Sequence, residues 1–592
     1  VGNRQDLSET LIGRKLSIRQ FTEKLLLYPL VVIFICFMES IILQFIIFFI
    51  NIFMKILLSS VFKPFGIDDL YGRKENLAEL LSSQVTRFQG IFSPRVWCAN
   101  AGLHLIAANI NAETTVLEWP SLDQFKKELK ATSYDIIGIT FIACTASKMK
   151  AMVEVTRNVS PKSKIVIGGY GTAIPNIESY VDVDYICKGE GISYLRRLLS
   201  IDPVYAFQHP IIISKSEEFL RLPIPEQKTG MIAAGLGCRK GCDFCSTSSF
   251  FNCEYHPLLS EGKELYQLLI NQHKSANLSE FWILDENFLQ QERRAKDLHD
   301  SIIDGQVLSF SIDMIWSSYD NIKKFDPEYL AEMGISTVWI GYESKYSNYS
   351  KNRNADIPKL ISQLAQYGIS TLLSCVLFYD FHDTKILNED INAFISAGQA
   401  YSQFLPLMAW PNTPLYQKLT ESNRILNIMP WEERHGLTHC CHIHPTIPTW
   451  KQKEILTNAF KREYIANGPS TIRIFKNKIL AYKHFEKSNS KTLQQRANHL
   501  KTKLLAQSIW VLSAYELAEE YHKHFCLEAK KSAEDIFGKR IIEEQKLPAN
   551  YLVKKIRQVQ KNDPSNNFSY YQPAMRKTIY NENGQNIEQL YF

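Results

Sequence analysis

Asp135-Ile136-Ile137-Gly138-Ile139-Thr140 is an apolar run closing on a polar residue. The helical pattern Ala146–Val159 follows it, then a second apolar run, Lys164–Ile167, that ends in Gly168-Gly169. A third run, Val183–Cys187, ends in Gly189-Glu190-Gly191. Apolar strands joined by helices and closed by glycine turns read as a doubly wound parallel sheet, a Rossmann-like domain over residues 67–205. Upstream, Leu103–Ile110 is apolar and Asp123–Leu129 amphipathic. Such sheets take ligands at the carboxyl ends of their strands, here near Thr140, Gly168, Gly169 and Gly189.

Downstream, residues 206–228 carry Pro210, Pro223 and Pro225, just after Pro203, and read as a linker. A second alternation follows. Its strands are Met231–Leu236, Glu280–Leu284, Ser309–Trp316, Thr337–Tyr342, Thr371–Phe378 and Phe404–Ala409, with helices over 262–273, 291–303, 327–333, 357–366 and 388–401. Six β/α units over 229–430 make a partial barrel or a second open sheet. Residues 431–592 read as helical and basic, with a polar, mobile tail from 561.

The chain has 592 residues, 45% hydrophobic and 22% charged, which excludes a disordered or collagenous protein. Its 67 Lys and Arg against 61 Asp and Glu give +6. Residues 451–510 hold 13 basic and 3 acidic side chains, so this window alone carries +10 and the remainder −4. The run Lys451–Lys503 reads as a solvated helix face, or as one drawn to anionic headgroups. No aromatic interleaving or known module points to nucleic acid.

Three of the twelve cysteines crowd into Gly237-Cys238-Arg239-Lys240-Gly241-Cys242-Asp243-Phe244-Cys245, at the end of a strand. Three thiolates on one tight loop can hold three irons of a cubane cluster and leave one iron open. Zinc is the rival, but structural zinc takes four ligands, and Cys253 is the one further thiol close in sequence. The remaining reading is three unrelated buried cysteines. Another stretch, His439-Cys440-Cys441-His442-Ile443-His444, reads as a loop over the barrel mouth, because adjacent cysteines chelate one metal poorly. Tyr342, Cys375 and Trp410 read as barrel filling.

GCRKGCDFC at the first strand of a six-strand β/α run resembles the radical S-adenosylmethionine (SAM) superfamily. The resemblance implies that Cys238, Cys242 and Cys245 bind a [4Fe–4S] cluster whose fourth iron is chelated by SAM, with Phe244 packing by the adenine. Ile283-Leu284-Asp285-Glu286-Asn287-Phe288 is similar to the family's second-strand DDNF motif. Trp339-Ile340-Gly341-Tyr342-Glu343-Ser344 is similar to its fourth-strand GIES motif, and Pro411-Asn412-Thr413-Pro414-Leu415-Tyr416 to its sixth-strand PGTPLY motif. By resemblance, Asp285 or Glu286 reaches the SAM amino group, and Glu343 accepts from the ribose hydroxyls or amino group. SYDIIGIT, KIVIGGYGTAIPN and VDYICKGEG resemble the cobalamin-binding domain that precedes the core in one large subfamily. There Thr140, Gly168, Gly169, Thr172 and Gly189 would line the corrin and its nucleotide tail. The DxHxxG ligand motif is absent, and Gly171 replaces the usual histidine of the glycine turn.

Residues 25–58 are the apolar outlier, broken by Pro29 and Glu39-Ser40 and flanked by Arg14, Lys15, Arg19 and Lys24 before, and Lys55, Lys63, Arg73 and Lys74 after. Basic flanks on both sides place both ends on the cytoplasmic side. Residues 1–66 are therefore expected to form an apolar helical segment, a monotopic or re-entrant anchor on the cytoplasmic side of the inner membrane, and not a signal peptide. The alternative is a buried helical hairpin.

These expectations combine into a membrane-associated radical SAM enzyme that functionalises an unactivated carbon of a small-molecule or lipid substrate. Its electron donor would be of the flavodoxin or ferredoxin type. With cobalamin bound, the reaction would be methylation; without it, oxidation, cyclisation or carbon–carbon coupling. A non-enzymatic iron–sulfur or zinc protein is the rival class.

Overall fold

A computed structural model of the chain describes residues 54–202, 206–215, 228–305, 310–562, 572–581 and 586–591. The described residues form a mixed α/β protein with two seven-stranded sheets, a two-stranded ribbon and a helical C-terminal region.

The first sheet contains β1 (Lys55–Ser60), β2 (Glu113–Glu118), β3 (Ile136–Thr140), β4 (Lys164–Gly168) and β5 (Tyr185–Cys187), all parallel. The period-2 alternation of side chains sends Leu57, Ile137, Ile139, Ile165 and Ile167 to one face, against α2 (Leu122–Ala131) and α3 (Ala146–Val159). Ile56, Leu58, Val116, Ile136 and Val166 go to the other, against α1 (Ala101–Ala108) and α4 (Gly191–Leu198). Helices on both faces make the sheet doubly wound, as expected.

Three boundaries differ from the sequence reading. Lys55–Ser60, read as the end of the anchor, is the strand between β2 and β3, and Ile56 and Leu57 are fully buried there. A continuous apolar run fits a doubly covered parallel strand as well as a lipid-facing helix. The rest of the expected anchor, residues 1–53, lies outside the described residues. Among the described residues no helix is long and apolar enough to cross a membrane. The second difference is β2, a strand not among those expected; it opens on the polar Glu113, Thr114 and Thr115, and both threonines are buried. The third is the tail. β15 (Met575–Tyr580) pairs antiparallel with β2, and β16 (Asn586–Tyr591) pairs with β15 at the sheet edge.

Buried charge fastens that tail. Arg576 lies 2.8 Å from the Glu118 carboxylate and donates to the Ile213 carbonyl at 2.6 Å. His104 bridges the Tyr580 hydroxyl at 2.8 Å and Glu118 at 3.1 Å. Burial pushes the Glu118 carboxyl up, but Arg576 and His104 outweigh it and hold the pKa at about 2.

The second sheet runs in order β14 (Tyr401–Pro406), β13 (Ser370–Leu377), β12 (Thr337–Glu343), β11 (Ser311–Trp316), β10 (Glu280–Leu284), β7 (Lys228–Ala233), β6 (Ile213–Lys215). All pairs are parallel except β6 with β7. The antiparallel edge strand β6 lies inside the expected linker. Five helices alternate with these strands: α5 (Gly262–Ala276), α6 (Glu292–Gly305), α7 (Pro327–Glu332), α8 (Ile357–Gln366) and α9 (Thr384–Ile395). Their apolar faces share one core with Ile283, Ile315, Val338 and Leu373 of the sheet. The opposite face, with Trp282, Met314 and Leu372, is covered by Leu81 and Val85 instead. After α10 (Pro414–Glu421) come α11 (Thr449–Asn467), α12 (Ser470–Phe485), α13 (Lys491–Leu517), α14 (Lys523–Phe537), α15 (Lys539–Glu544) and α16 (Lys546–Asn562), whose buried residues extend that same core.

Because β1 lies inside the first sheet, a chain starting at Lys63 should aggregate, whereas one starting at Met54 should keep the native far-UV circular dichroism and melt cooperatively. Recovery of a folded, monodisperse chain from Lys63 would contradict the register of β1.

The Glu118 carboxyl is held below its ordinary value near 4.5. Its contribution to stability is therefore complete above that pH and is lost as pH falls toward 2. In Glu118→Gln that acid-limb dependence should flatten. The melting free energy at neutral pH should fall by about 3–5 kcal/mol, because Arg576 is left buried without its counter-ion.

Candidate functional site

The cysteine loop leaves the second sheet through β8 (Gly235–Leu236), which pairs with β9 (His256–Pro257). Gly237 turns the chain at φ 81°, and a side chain there would strike the Glu254 carbonyl. Within the loop, the Cys245 amide donates to the Cys242 carbonyl at 3.0 Å, and the Ser248 hydroxyl to the Cys238 carbonyl at 3.2 Å. All three thiols are partly buried and free of disulfides. Burial raises each of them, Cys242 to about 11, and each thiol lies within electrostatic reach of the others. They share a loop without converging: among the described residues no three His, Cys, Asp or Glu side chains are gathered to hold a metal ion. Cys253 is exposed, with its sulfur 3.6 Å from where a Cβ on Gly241 would lie.

The carboxyl ends of β10, β12 and β14 surround this loop. Asp285 and Glu286, adjacent in sequence, have different fates. Asp285 is buried and locked, 2.6 Å from Arg294 and accepting from the Tyr255 hydroxyl at 2.7 Å. Glu286 opens into the cleft and accepts from Thr247 at 3.2 Å. The protein around Glu286 raises its carboxyl pKa; Thr247 opposes the shift and Asp285 adds to it. Of the two, Glu286 is the group left available to a ligand.

Glu343 ends β12 at φ 62°, in the left-handed region, just past a bulge at Gly341. Such a conformation costs a non-glycine residue about 1–3 kcal/mol and persists only where the surroundings impose it. Asn352 imposes it by donating to the Gly341 and Tyr342 carbonyls at 2.9 and 3.0 Å. The buried Glu343 carboxylate is paired with Lys351. Burial opposes the Lys351 charge, but Glu343 and then Cys242 outweigh it, and the ammonium pKa is raised. Sequence reasoning missed Lys351. It lies eight positions beyond Glu343, in a one-turn helix Ser350–Asn352, with no motif around it.

Phe244 meets Tyr349 edge-to-face at 5.4 Å, and the Tyr349 hydroxyl donates to Asp243 at 2.7 Å. The loop after β14 docks here too, through the Leu415 amide on the Asp243 carbonyl at 3.0 Å. Asn412 has φ 66°, which explains why asparagine can stand where the resembled motif has glycine. Tyr342 packs on Phe394, and Cys375 is fully buried in the core. Cys440 and Cys441 are buried as well, and the Cys441 thiol meets the Ala409 carbonyl at 3.4 Å.

The first sheet's carboxyl edge faces the same cleft. Tyr170 stacks obliquely on Phe250 at 4.8 Å, and a cavity of about 490 Å³ lies between Thr172, Gly189 and the segment Phe250–Asn252. The expected corrin-lining residues are engaged with their own chain. The Thr172 hydroxyl, fully buried, donates to the Gly169 carbonyl at 2.8 Å. A Cβ on Gly169 would sit 2.7 Å from the Phe141 carbonyl and 2.8 Å from the Thr140 hydroxyl. A side chain on Gly171 would collide with the Phe141 ring, which fills the space of the resembled histidine. Gly168 lies against Cys187, and Gly189 alone borders open space. A cavity of this size suits a drug-sized molecule. A corrin with its nucleotide tail is far larger, so these residues do not fit cobalamin as they stand.

No family model and no curated protein matches the chain.

Lys351→Met should strand a buried carboxylate and lower stability by about 3–5 kcal/mol, as read by urea melting. Combining it with Glu343→Gln should restore most of that loss. Additive losses in the double variant would show that the two side chains are not coupled.

Proposed function

We propose that the chain is a radical SAM enzyme whose Cys238, Cys242 and Cys245 bind a [4Fe–4S] cluster with SAM on its open iron. The observation that carries the reading is the position of the three-thiol loop. It caps the first of six sequential parallel strands, and Glu286 and the strained Glu343 project from the ends of two others. Helices on one face and sequential order favour a partial barrel over a second doubly wound sheet. When bound, the cluster and SAM supply a carbon radical able to abstract hydrogen from an unactivated position.

The residues of the chain have simpler tasks. Cys238, Cys242 and Cys245 would hold the cluster as thiolates, their protons released to solvent, and binding would draw the loop inward. Lys351 offsets the negative charge that three thiolates and Glu343 accumulate. Glu286 accepts from a cationic or hydroxylic group entering the cleft, while Arg294 keeps Asp285 out of that role. Phe244 and Tyr349 offer an aromatic wall on which a purine can stack. With no room for a corrin at the first sheet, the favoured chemistry is radical oxidation, cyclisation or carbon–carbon coupling without cobalamin. Membrane attachment through residues 1–53 and a flavodoxin- or ferredoxin-type donor remain part of this proposal.

Anaerobically reconstituted protein should show visible thiolate–iron absorbance and release 5′-deoxyadenosine from SAM. Replacing Cys238, Cys242 and Cys245 with Ala should abolish both, while Cys440→Ala and Cys441→Ala keep both. Glu286→Gln should raise the SAM KM by about tenfold or more, the scale of one lost charge-assisted hydrogen bond. A triple variant that still holds a redox-active cluster would overturn the assignment.

A further inference from the structure

A further cavity lies away from the cysteine loop. It has a volume of about 930 Å³ and lies at the opposite, amino-terminal edge of the second sheet. Glu280, Ser311, Thr337, Ser370 and Tyr401, the first residues of five successive strands, line it. A strand length of roughly 20 Å separates this edge from the cysteine loop. The C-terminal helices α12, α13 and α16 close it, and Ile91 and Phe92 form a side wall. Its volume is near the top of the range of about 300–1,000 Å³ typical of small-molecule sites.

Apolar walls and basic groups divide the lining. Trp282, Met314, Phe92 and Leu500 give an extended greasy surface. Lys478 of α12, Arg496 and Lys503 of α13 and Lys555 of α16 bring four cations to the cavity, against two carboxylates, Glu280 and Asp313. Lys503 is satisfied by Glu280 at 3.0 Å. Asp313 is held by the hydroxyls of Ser311 and Ser336, at 2.5 and 3.0 Å. Lys478 donates one long hydrogen bond, 3.5 Å, to Gln507 and feels Asp313 and Glu280 through space without a direct ion pair to either. Arg496 donates to the main-chain carbonyls of Phe310 and Glu332 at 3.3 and 3.2 Å, and its Nε has no partner. Burial lowers the pKa of both groups, that of Arg496 to about 10. Cations held inside protein are costly unless an anion meets them. With basic groups in excess, a metal ion is the wrong occupant.

We propose that this cavity binds a single-chain amphiphile whose anionic head, a carboxylate or a phosphate, meets Lys478 and Arg496 while its hydrocarbon lies along Trp282 and Met314. The proposal does not rest on the reading of the cysteine loop. The two ends of the sheet would then serve two ligands, and failure at one end leaves the other untouched.

Displacement of a dansyl-labelled fatty acid from the delipidated full-length chain tests it. Oleate and dodecyl phosphate should each displace the probe at least about tenfold better than dodecanol, the scale of one charge-assisted contact. Whichever of the two anions competes better identifies the headgroup. Arg496→Met and Lys478→Met should each erase most of that preference. Leu500→Trp, which fills the cavity from α13 without touching a charge, should abolish probe binding with the melting temperature kept. Equal competition by dodecanol, or unchanged binding in a folded Leu500→Trp chain, would overturn the proposal. Should the charge variants fail to fold, the headgroup series on the unaltered chain still decides it.

Discussion

Parallel pairing is the constraint on which the rest of the molecule depends. Parallel strands deliver every carboxyl end to one side of a sheet, and here two sheets are placed so that these sides meet. Tyr170, beyond β4, rests on Phe250, beyond β8. The link continues by hydrogen bonds, weakly from Tyr170 to Thr247 at 3.4 Å and then from Thr247 to Glu286 at 3.2 Å. One contact chain thus ties the turn of the first sheet to the cysteine loop of the second. Arg576 adds a second tie, joining Glu118 of the first sheet to the Ile213 carbonyl of the second. Rotation of one sheet against the other would break these partly buried polar contacts.

Some of the backbone strain stands where the strands of the second sheet end. Glu343, Phe378 and Asn412 all have positive φ, and each follows or ends a strand of the second sheet at its carboxyl edge. A fold does not hold non-glycine residues there by default, since each costs free energy that packing elsewhere has to offset. Asn352 and Lys351 provide that support for Glu343, one through the backbone and the other through charge. The segment after β12 is therefore as much a part of the site as the strand end itself.

Legibility in the sequence followed the physics of each signal. Strands such as Ile136–Thr140 and Glu280–Leu284 were readable because apolar runs bounded by turn residues have few other uses. β1 was not, because its apolar run continues one that also suits lipid, and only pairing with β2 and β3 decides between them. β15 was invisible in a polar tail, since its place depends on Glu118, more than four hundred residues away. At the site, the three cysteines were legible from spacing alone. The split between Asp285 and Glu286 was not, because it is made by Arg294 and Tyr255, whose approach no local pattern encodes. The surroundings of Gly169 and Gly171 were not legible for a related reason. A glycine leaves room, but the sequence does not say that Phe141 has already taken it.

A run of lysines and arginines on helices is solvated by default, and Lys451 and Lys453, toward the start of α11, obey that default. Lys478, Arg496 and Lys503 do not, because α12 and α13 lie across the amino-terminal edge of the second sheet instead of standing free. A protein gains little in stability from four cations gathered at one cavity beside apolar walls. Well-packed hydrophobic side chains of similar size would cost less. Charge kept at such a price points to an interaction that occurs only when something else is present. Lys478, with no direct ion pair, and Arg496, whose Nε has no partner, mark where that partner's charge would lie.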